Sequence, residues 1–463
     1  MLSRSALGRN APRCLRKQCL AQPSSRRGMA AAAPKGFEYE SGEATGVKFA
    51  NRDVAGPTTT LSLVAKAGSR YQPFPGYSDL LEKFAFKTTN KRSALRITRE
   101  SELLGGELSA SHSRENVVLS AKFLSNDLPY YAELLAEVIS ETKFAQHEFD
   151  ELVAHLVKYS QGDLVANPPA QALDSAHNVA FHHGLGESLI PTPDSPLAGY
   201  VDMEGLSAFA QGAYSKPSIA VVSSGANTAD LSKWVGQFFR DIPATASTGV
   251  CSPKAHQPSK YYGGEERIPS KAGNAVVIAF PGSSAFGTGA SYKPEVSVLA
   301  ALLGGKSTIK WSPGSSLLSQ AAQASGASVS TCNSAYSDAG LLHVTISGKA
   351  QSVASASKSV VETIQKVAAG NVSSEEIKKA AALAKFRALE AGELLASGLE
   401  LTGSGLIHGG KPFQIAQVGQ SIEKVTEQQV KDAAKSLLSN KASVSSVGDL
   451  HVLPFAVDLG LTV

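Results

Sequence analysis

The chain has 463 residues, 43% of them apolar and 18% charged. That length accommodates roughly two to four domains with full cores, and the composition is that of a globular protein and not of a disordered one. No stretch approaches the ~18 consecutive apolar residues of a membrane-spanning helix, and four cysteines exclude a disulfide scaffold.

The nominal charge of +4 is unevenly distributed. Residues 1–37 carry Arg4, Arg9, Arg13, Arg16, Lys17, Arg26, Arg27 and Lys35 and no acid, and the first acid is Glu38. An Arg-rich, Ser- and Ala-containing, acid-free N-terminus has the composition of a mitochondrial transit peptide, here assigned to residues 1–28 with cleavage near Arg27–Gly28. Its removal takes away seven basic residues and brings the body from +4 to about −3, so no nucleic-acid-binding stripe is expected. Cys14 and Cys19 leave with it. Cys251 and Cys332 remain as single thiols without metal-type spacing.

Further along, two halves repeat. TTTLSLVAKAGSR (58–70) reads as a strand. ELLGGELSASHSRENVVLSAKF (102–123) ends in apolar–polar alternation, the mark of a half-buried strand. A helix follows, with Asp127 at its N-cap and Pro129 in its first turn. From His147, HEFDELVAHLVKYSQ is a second amphipathic helix, and VDMEGLSAFAQGAYSKPSIAVVSSG (201–225) is a helix, a turn and a strand. About 225 residues later the order returns. NAVVIAFPGSS (274–284) opens it, and AAQASGASVSTCNSAYSDAGLLHVTIS (321–347) is another strand pair. A helix follows over 350–364. The capping box Ser373–Glu376 then opens a long helix, whose Ile377, Ala380, Ala381, Ala384 and Ala388 edge is expected to pack on the second sheet. VTEQQVKDAAKSLLSNKASVSSVG (425–448) closes the repeat. The reading is a duplicated α+β fold, each copy a mixed, antiparallel-rich β-sheet covered by helices. One domain spans 37–244 and the other 274–463. The Ser-, Pro-, Gly- and Lys-rich segment 245–273 is a linker between them.

Two short motifs fail on inspection. Gly304-Gly305-Lys306-Ser307-Thr308 ends like a phosphate loop, but the required earlier glycine is Ala300 and the preceding VSVLAALL is helical. His182 and His183 are adjacent, and neighbours on a helix diverge by ~100°, so they are read as ordinary helix-face or cap residues and not as a chelating pair.

The third candidate is GYSDLLEKFAFKTT (76–89), followed by GG-x-L-x-A-x-x-x-R-E and the DLP helix start. This segment resembles the pitrilysin and mitochondrial processing peptidase family of metallopeptidases, whose inverted zinc motif H-x-x-E-H lies on a helix. The resemblance covers the duplicated layout as well. It implies that Asp79 and Lys83 stand at the two histidine positions, that Glu82 keeps the general-base position, and that the distant glutamate ligand falls near Tyr159. An ammonium has no lone pair for zinc. The expectation is therefore no catalytic residue, no metal and no cofactor, with Asp79 and Lys83 forming an i,i+4 ion pair on the helix surface.

Within the family, LLGGKSTIKWSPGSSLLSQA (302–321), NSAYSDAGLLHVTIS (333–347) and the broken DLLEK motif look like the mitochondrial core-protein branch of respiratory complex III, the cytochrome bc1 complex. That resemblance implies a non-catalytic structural subunit on the matrix side of the inner membrane. It would be peripheral, held by protein contacts to a homologous core protein 1, cytochrome b, cytochrome c1 and other complex III subunits. The alternative is the non-catalytic alpha subunit of the mitochondrial processing peptidase, which binds presequences. That subunit carries a longer glycine-rich loop, where this chain has Trp311 and two lysines.

Overall fold

The computed structural model describes residues 38–54, 56–192, 202–245, 251–288, 291–305, 314 and 316–463. The transit-peptide reading, Cys14 and Cys19, the Lys306–Thr308 end of the phosphate-loop look-alike and Trp311 lie outside these residues.

The first sheet contains β1 (Glu40–Ala44), β2 (Val47–Arg52), β3 (Thr58–Ala65), β4 (Glu107–His112), β5 (Val117–Leu124) and β6 (Ile219–Ser224), in the order β1-β2-β6-β3-β5-β4. The second contains β7 (Gly264–Pro269), β8 (Asn274–Pro281), β9 (Ser328–Ala335), β10 (Gly340–Gly348) and β11 (Ser443–Gly448), in the order β7-β11-β8-β10-β9. Among the described residues only β2–β6 and β7–β11 pair in parallel; all other neighbours are antiparallel. The mixed, antiparallel-rich duplication expected from the repeat is what the structure shows, with β1 as an extra edge strand. Register follows the buried face: Leu61 pairs with Ala121 and Leu63 with Leu119, while Val344 opposes Ile278, and all of these are buried.

β7 falls inside the stretch read as linker. Its residues are GEERIP, each at least partly exposed, and it is an edge strand paired only with β11. A charged edge strand shows no apolar alternation, so periodicity cannot reveal it.

Helices cover both sheets. In the first half they are α1 (Tyr77–Phe84), α2 (Ala94–Leu104), α3 (Leu128–Glu141), α4 (Ala154–Ala166), α5 (Pro168–Phe181), α6 (Met203–Ala213) and α7 (Thr228–Phe238). The second half adds α8 (Pro294–Leu303), α9 (Leu317–Gln323), α10 (Ala350–Ala368), α11 (Ser374–Glu393), α12 (Leu395–His408), α13 (Ile415–Glu423) and α14 (Glu427–Ser439). Asp127 sits at the N-cap of α3 without a side-chain cap bond, and Pro129 occupies the first turn. The Ser373–Glu376 capping box forms as expected. The buried edge of α11 is Ile377, Ala380 and Ala384, with Ala381 and Ala388 partly buried. It packs on α8, α13 and α12 and not on the sheet as expected. The sheet face on that side already carries α10.

Each half also covers the other's sheet. α5 lays Ala172, Ala176, Ala180 and Phe181 on Ala275, Val277, Ala279, Leu341 and Val447 of the second sheet. α12 lays Leu399 and Leu406 on Ala50, Ala220 and Val222 of the first. Small residues let these helices approach closely. A Cβ at Gly403 would stand 2.4 Å from Cγ2 of Val64, a clash that no rotamer relieves. Burying a Leu or Phe side chain contributes ~1.5–3 kcal/mol, so the exchange makes the halves one cooperative body.

Charge reinforces the junction. Buried Arg70 donates to Glu115 Oε1 at 2.7 Å and to both carboxylate oxygens of Asp338 at 2.7 Å. Glu115 in turn accepts the Ser337 N–H at 2.8 Å. Arg70 and Glu115 belong to the first half, Ser337 and Asp338 to the β9–β10 turn of the second.

Candidate functional site

The chain enters α1 through Gly76, whose φ of +100° suits glycine and disfavours a side chain. Tyr77, Leu80, Leu81 and Phe84 turn inward. Asp79 lies on the same buried side, with 1% of its side chain exposed, and Lys83 one turn on has 8%. They form the expected i,i+4 ion pair, but it is buried and not on the helix surface. The reason is β4, which packs across α1 and closes the site from above.

β4 brings a residue that the motif does not contain. Its pattern alternates exposed and partly buried positions, so Leu108, Ala110 and His112 share the inner face. The His112 N–H donates to Glu82 Oε2 at 3.1 Å, and Nδ1 contacts the same oxygen. Nε2 lies 3.1 Å from the carbonyl oxygen of Leu189. A carboxylate and a carbonyl only accept, so both ring nitrogens must carry hydrogen. Burial alone would lower the His112 pKa, but the Glu82 hydrogen bond and charge, with Asp79 behind them, hold it above its ordinary value. Burial would likewise raise Glu82, and the bonds and charge from His112 outweigh it and hold that carboxyl below the usual range. The site thus contains two carboxylates, Asp79 and Glu82, faced by two cations, Lys83 and His112.

Beside it is a cavity of about 200 Å3 walled by Leu80, Phe149, Val157, Lys158 and Pro191, with Asp79 at its edge. The wall from α4 is Ala154, Val157, Lys158 and Gln161. Tyr159 is not part of it: 69% of that residue is exposed, which corrects its assignment to the distant ligand position. A wide π turn at Phe149–Val153 precedes α4.

Residues 49–193 match the insulinase family, peptidase family M16, and residues 200–383 match the peptidase M16 inactive domain. The chain belongs to peptidase family M16. Among relatives, this M16 chain is 53% identical to the Neurospora crassa protein "Cytochrome b-c1 complex subunit 2, mitochondrial" over the full length of both. A protein of the same name from Schizosaccharomyces pombe is 37% identical over 92% of this chain and 96% of its own length. The one from Rattus norvegicus is 29% identical over 89% and 90%.

Membership of M16 implies a zinc ion, and the residues present can be tested for it. Asp79, Glu82 and His112 hold ligand atoms within 4.8 Å of one another, a spacing that one ion could bridge. The donor chemistry does not fit. His112 gives both ring protons to acceptors and has no lone pair to offer. Lys83 already neutralises Asp79, and a divalent ion would add charge beside a fixed ammonium. Glu82 is held by an imidazolium, so it is not available to activate a water molecule.

His112 is the residue that motif reading missed. Its signal was parity: it stands two and four residues after Ala110 and Leu108 in an alternating strand. His182 ends α5 at φ 58° and stacks on Tyr262 with ring centroids 4.2 Å apart, a structural role consistent with the cap reading. Cys251 is half-buried and Cys332 exposed, both as free thiols.

Proposed function

We propose that this chain is a non-catalytic structural subunit of mitochondrial respiratory complex III, supporting ubiquinol-to-cytochrome c electron transfer through assembly and stability. The observation that carries the proposal is the filled seat of the metal: Lys83 and His112 supply, from the chain itself, the positive charge that a catalytic ion brings elsewhere in the family. Full-length similarity to proteins named as subunit 2 of the cytochrome b-c1 complex supports the assembly. The partners are then a homologous core protein 1, cytochrome b and cytochrome c1, and the location is the matrix side of the inner membrane. Among the described residues no helix is long and apolar enough to cross a membrane, and the attachment in this reading runs through protein contacts. The alpha subunit of the processing peptidase is the less favoured reading, since the relatives cited carry the complex III name.

Salt washing tests the proposal. Permanent interfaces bury on the order of 2,000 Å2 or more and resist screening, unlike exposed charge pairs. High-salt washing of inner-membrane vesicles should leave the protein bound while cytochrome b is present, and deleting cytochrome b should release it. Release by moderate salt with the cytochromes retained refutes the proposal.

A further inference from the structure

We propose that the outer face of α11 pairs antiparallel with the same face of a second copy of this chain, about a two-fold axis beside Phe386. α11 is a helix of 20 residues, ~30 Å long. Its inner edge, Ile377, Ala380 and Ala384, is buried. On the opposite side Leu383, Phe386 and the C-cap residue Leu394 are 38%, 60% and 58% exposed. Large apolar side chains in a row on the outside of a helix mark an interaction site.

The charges on the same face say what covers it. Lys379 lies two turns before Phe386 and Glu393 two turns after it, each ~10 Å along the axis. Glu390 lies one turn after Phe386. The Lys379 side chain is 78% exposed, and its carboxylate neighbour Glu375 is 3.9 Å away and equally exposed, so that contact contributes little. Glu390 and Glu393 make no ion pair among the described residues. They stand at the C-terminal end, where the helix carbonyls already carry partial negative charge, and the last turn holds no basic residue to offset them. A second α11 running the opposite way compensates. It sets Lys379 of each copy against Glu390 and Glu393 of the other and Phe386 against its own counterpart, and it places the two helix dipoles in opposition. A parallel pairing would put lysine on lysine and glutamate on glutamate. The face is therefore self-complementary, as an isologous two-fold contact requires. α4 carries Leu156, Tyr159 and Asp163 at the spacing of Leu383, Phe386 and Glu390, all three exposed, but Leu152 stands where α11 has Lys379. It lacks the cation that the pairing uses.

The pairing does not rest on the assignment to complex III. Sedimentation equilibrium of the purified full-length chain, with oxidative cross-linking of cysteine variants, tests it. The chain should show a reversible monomer–dimer equilibrium. A residue beside the axis meets its own copy, so Phe386→Cys should form a disulfide between two copies at least ~10-fold faster than Tyr159→Cys, the equivalent exposed position on α4. Lys379→Glu should raise the dimer dissociation constant ~10-fold or more, and the exchange Lys379→Glu/Glu393→Lys should return it to within ~3-fold of the parent. Because these side chains are solvent-exposed, the variants keep the monomer fold, which circular dichroism checks. A chain that stays monomeric up to about 0.1 mM assigns the face to a different occupant and overturns the proposal. So does cross-linking of Phe386→Cys no faster than that of Tyr159→Cys, or a dimer that Lys379→Glu leaves unchanged.

Discussion

Replacing Lys83 by Met tests the charge quartet at its most buried point. Met keeps most of the length and apolar volume of the lysine stem but removes the ammonium. Asp79 then loses its ion-pair partner in a site where 1% of its side chain is exposed. Its other carboxylate oxygen, Oδ2, already has no hydrogen-bond partner, so no existing bond compensates. Breaking a buried pair by removing one member costs ~3–5 kcal/mol. Removing both members with Asp79→Leu/Lys83→Met replaces the pair by apolar groups and should restore stability to within ~1–2 kcal/mol of the parent, because the desolvation penalty disappears along with the attraction. The assay is urea unfolding of the recombinant chain for the two single variants and the double variant, analysed as a double-mutant cycle. A single-variant loss below ~1 kcal/mol would show that the pair is solvated and refute the buried-quartet reasoning.

Three further outcomes follow from the same structure. His112 has a raised pKa and Glu82 a lowered one; the stability from His112 is therefore fully present below ~6.5, its unfolded value, and is lost as pH rises through the raised folded value, whereas that from Glu82 is present above ~4.3 and lost as pH falls through its lowered value. The stability difference between the parent and His112→Gln should accordingly fade as the solution is made alkaline, and a difference that stays constant from acid to alkaline pH would contradict a protonated His112. Ala384→Asp places a carboxylate at a position 5% exposed between α11 and its neighbours, which should cost several kcal/mol, and unchanged thermal stability would argue against that packing. Elemental analysis of the purified chain should find less than one zinc per molecule, and Asp79→His/Lys83→His should still show no peptidase activity, since the wall of α4 offers Lys158 and Gln161 and no acid.

The repeat was legible because each strand pair and helix recurs in order with its own periodicity, and the broken motif was legible because Asp79, Glu82 and Lys83 are local to one helix. What escaped were relations between elements distant in the chain. Ala172, Ala176 and Ala180 announce an apolar helix face, but nothing in their spacing says that it covers the opposite half's sheet. Leu399 and Leu406 are silent in the same way. His112 lies 30 residues from Glu82, and only strand parity pointed it inward. Tyr159 was misplaced because a spacing along the chain does not say which residue of α4 faces the cavity, and Tyr159 faces solvent. β7 lacked periodicity because it is a charged edge. Arg70 meets Asp338 across 268 residues, a contact set by how the two halves dock and not by any local pattern.

The most direct test of the central claim is the composition of the native particle that contains this chain. Purified from mitochondria in mild detergent through a tag on the chain, it should elute as a large assembly with b-type and c-type haem and a second homologous subunit, and it should show no presequence cleavage attributable to this chain. Elution as a small, haem-free heterodimer that cleaves presequences would contradict the account.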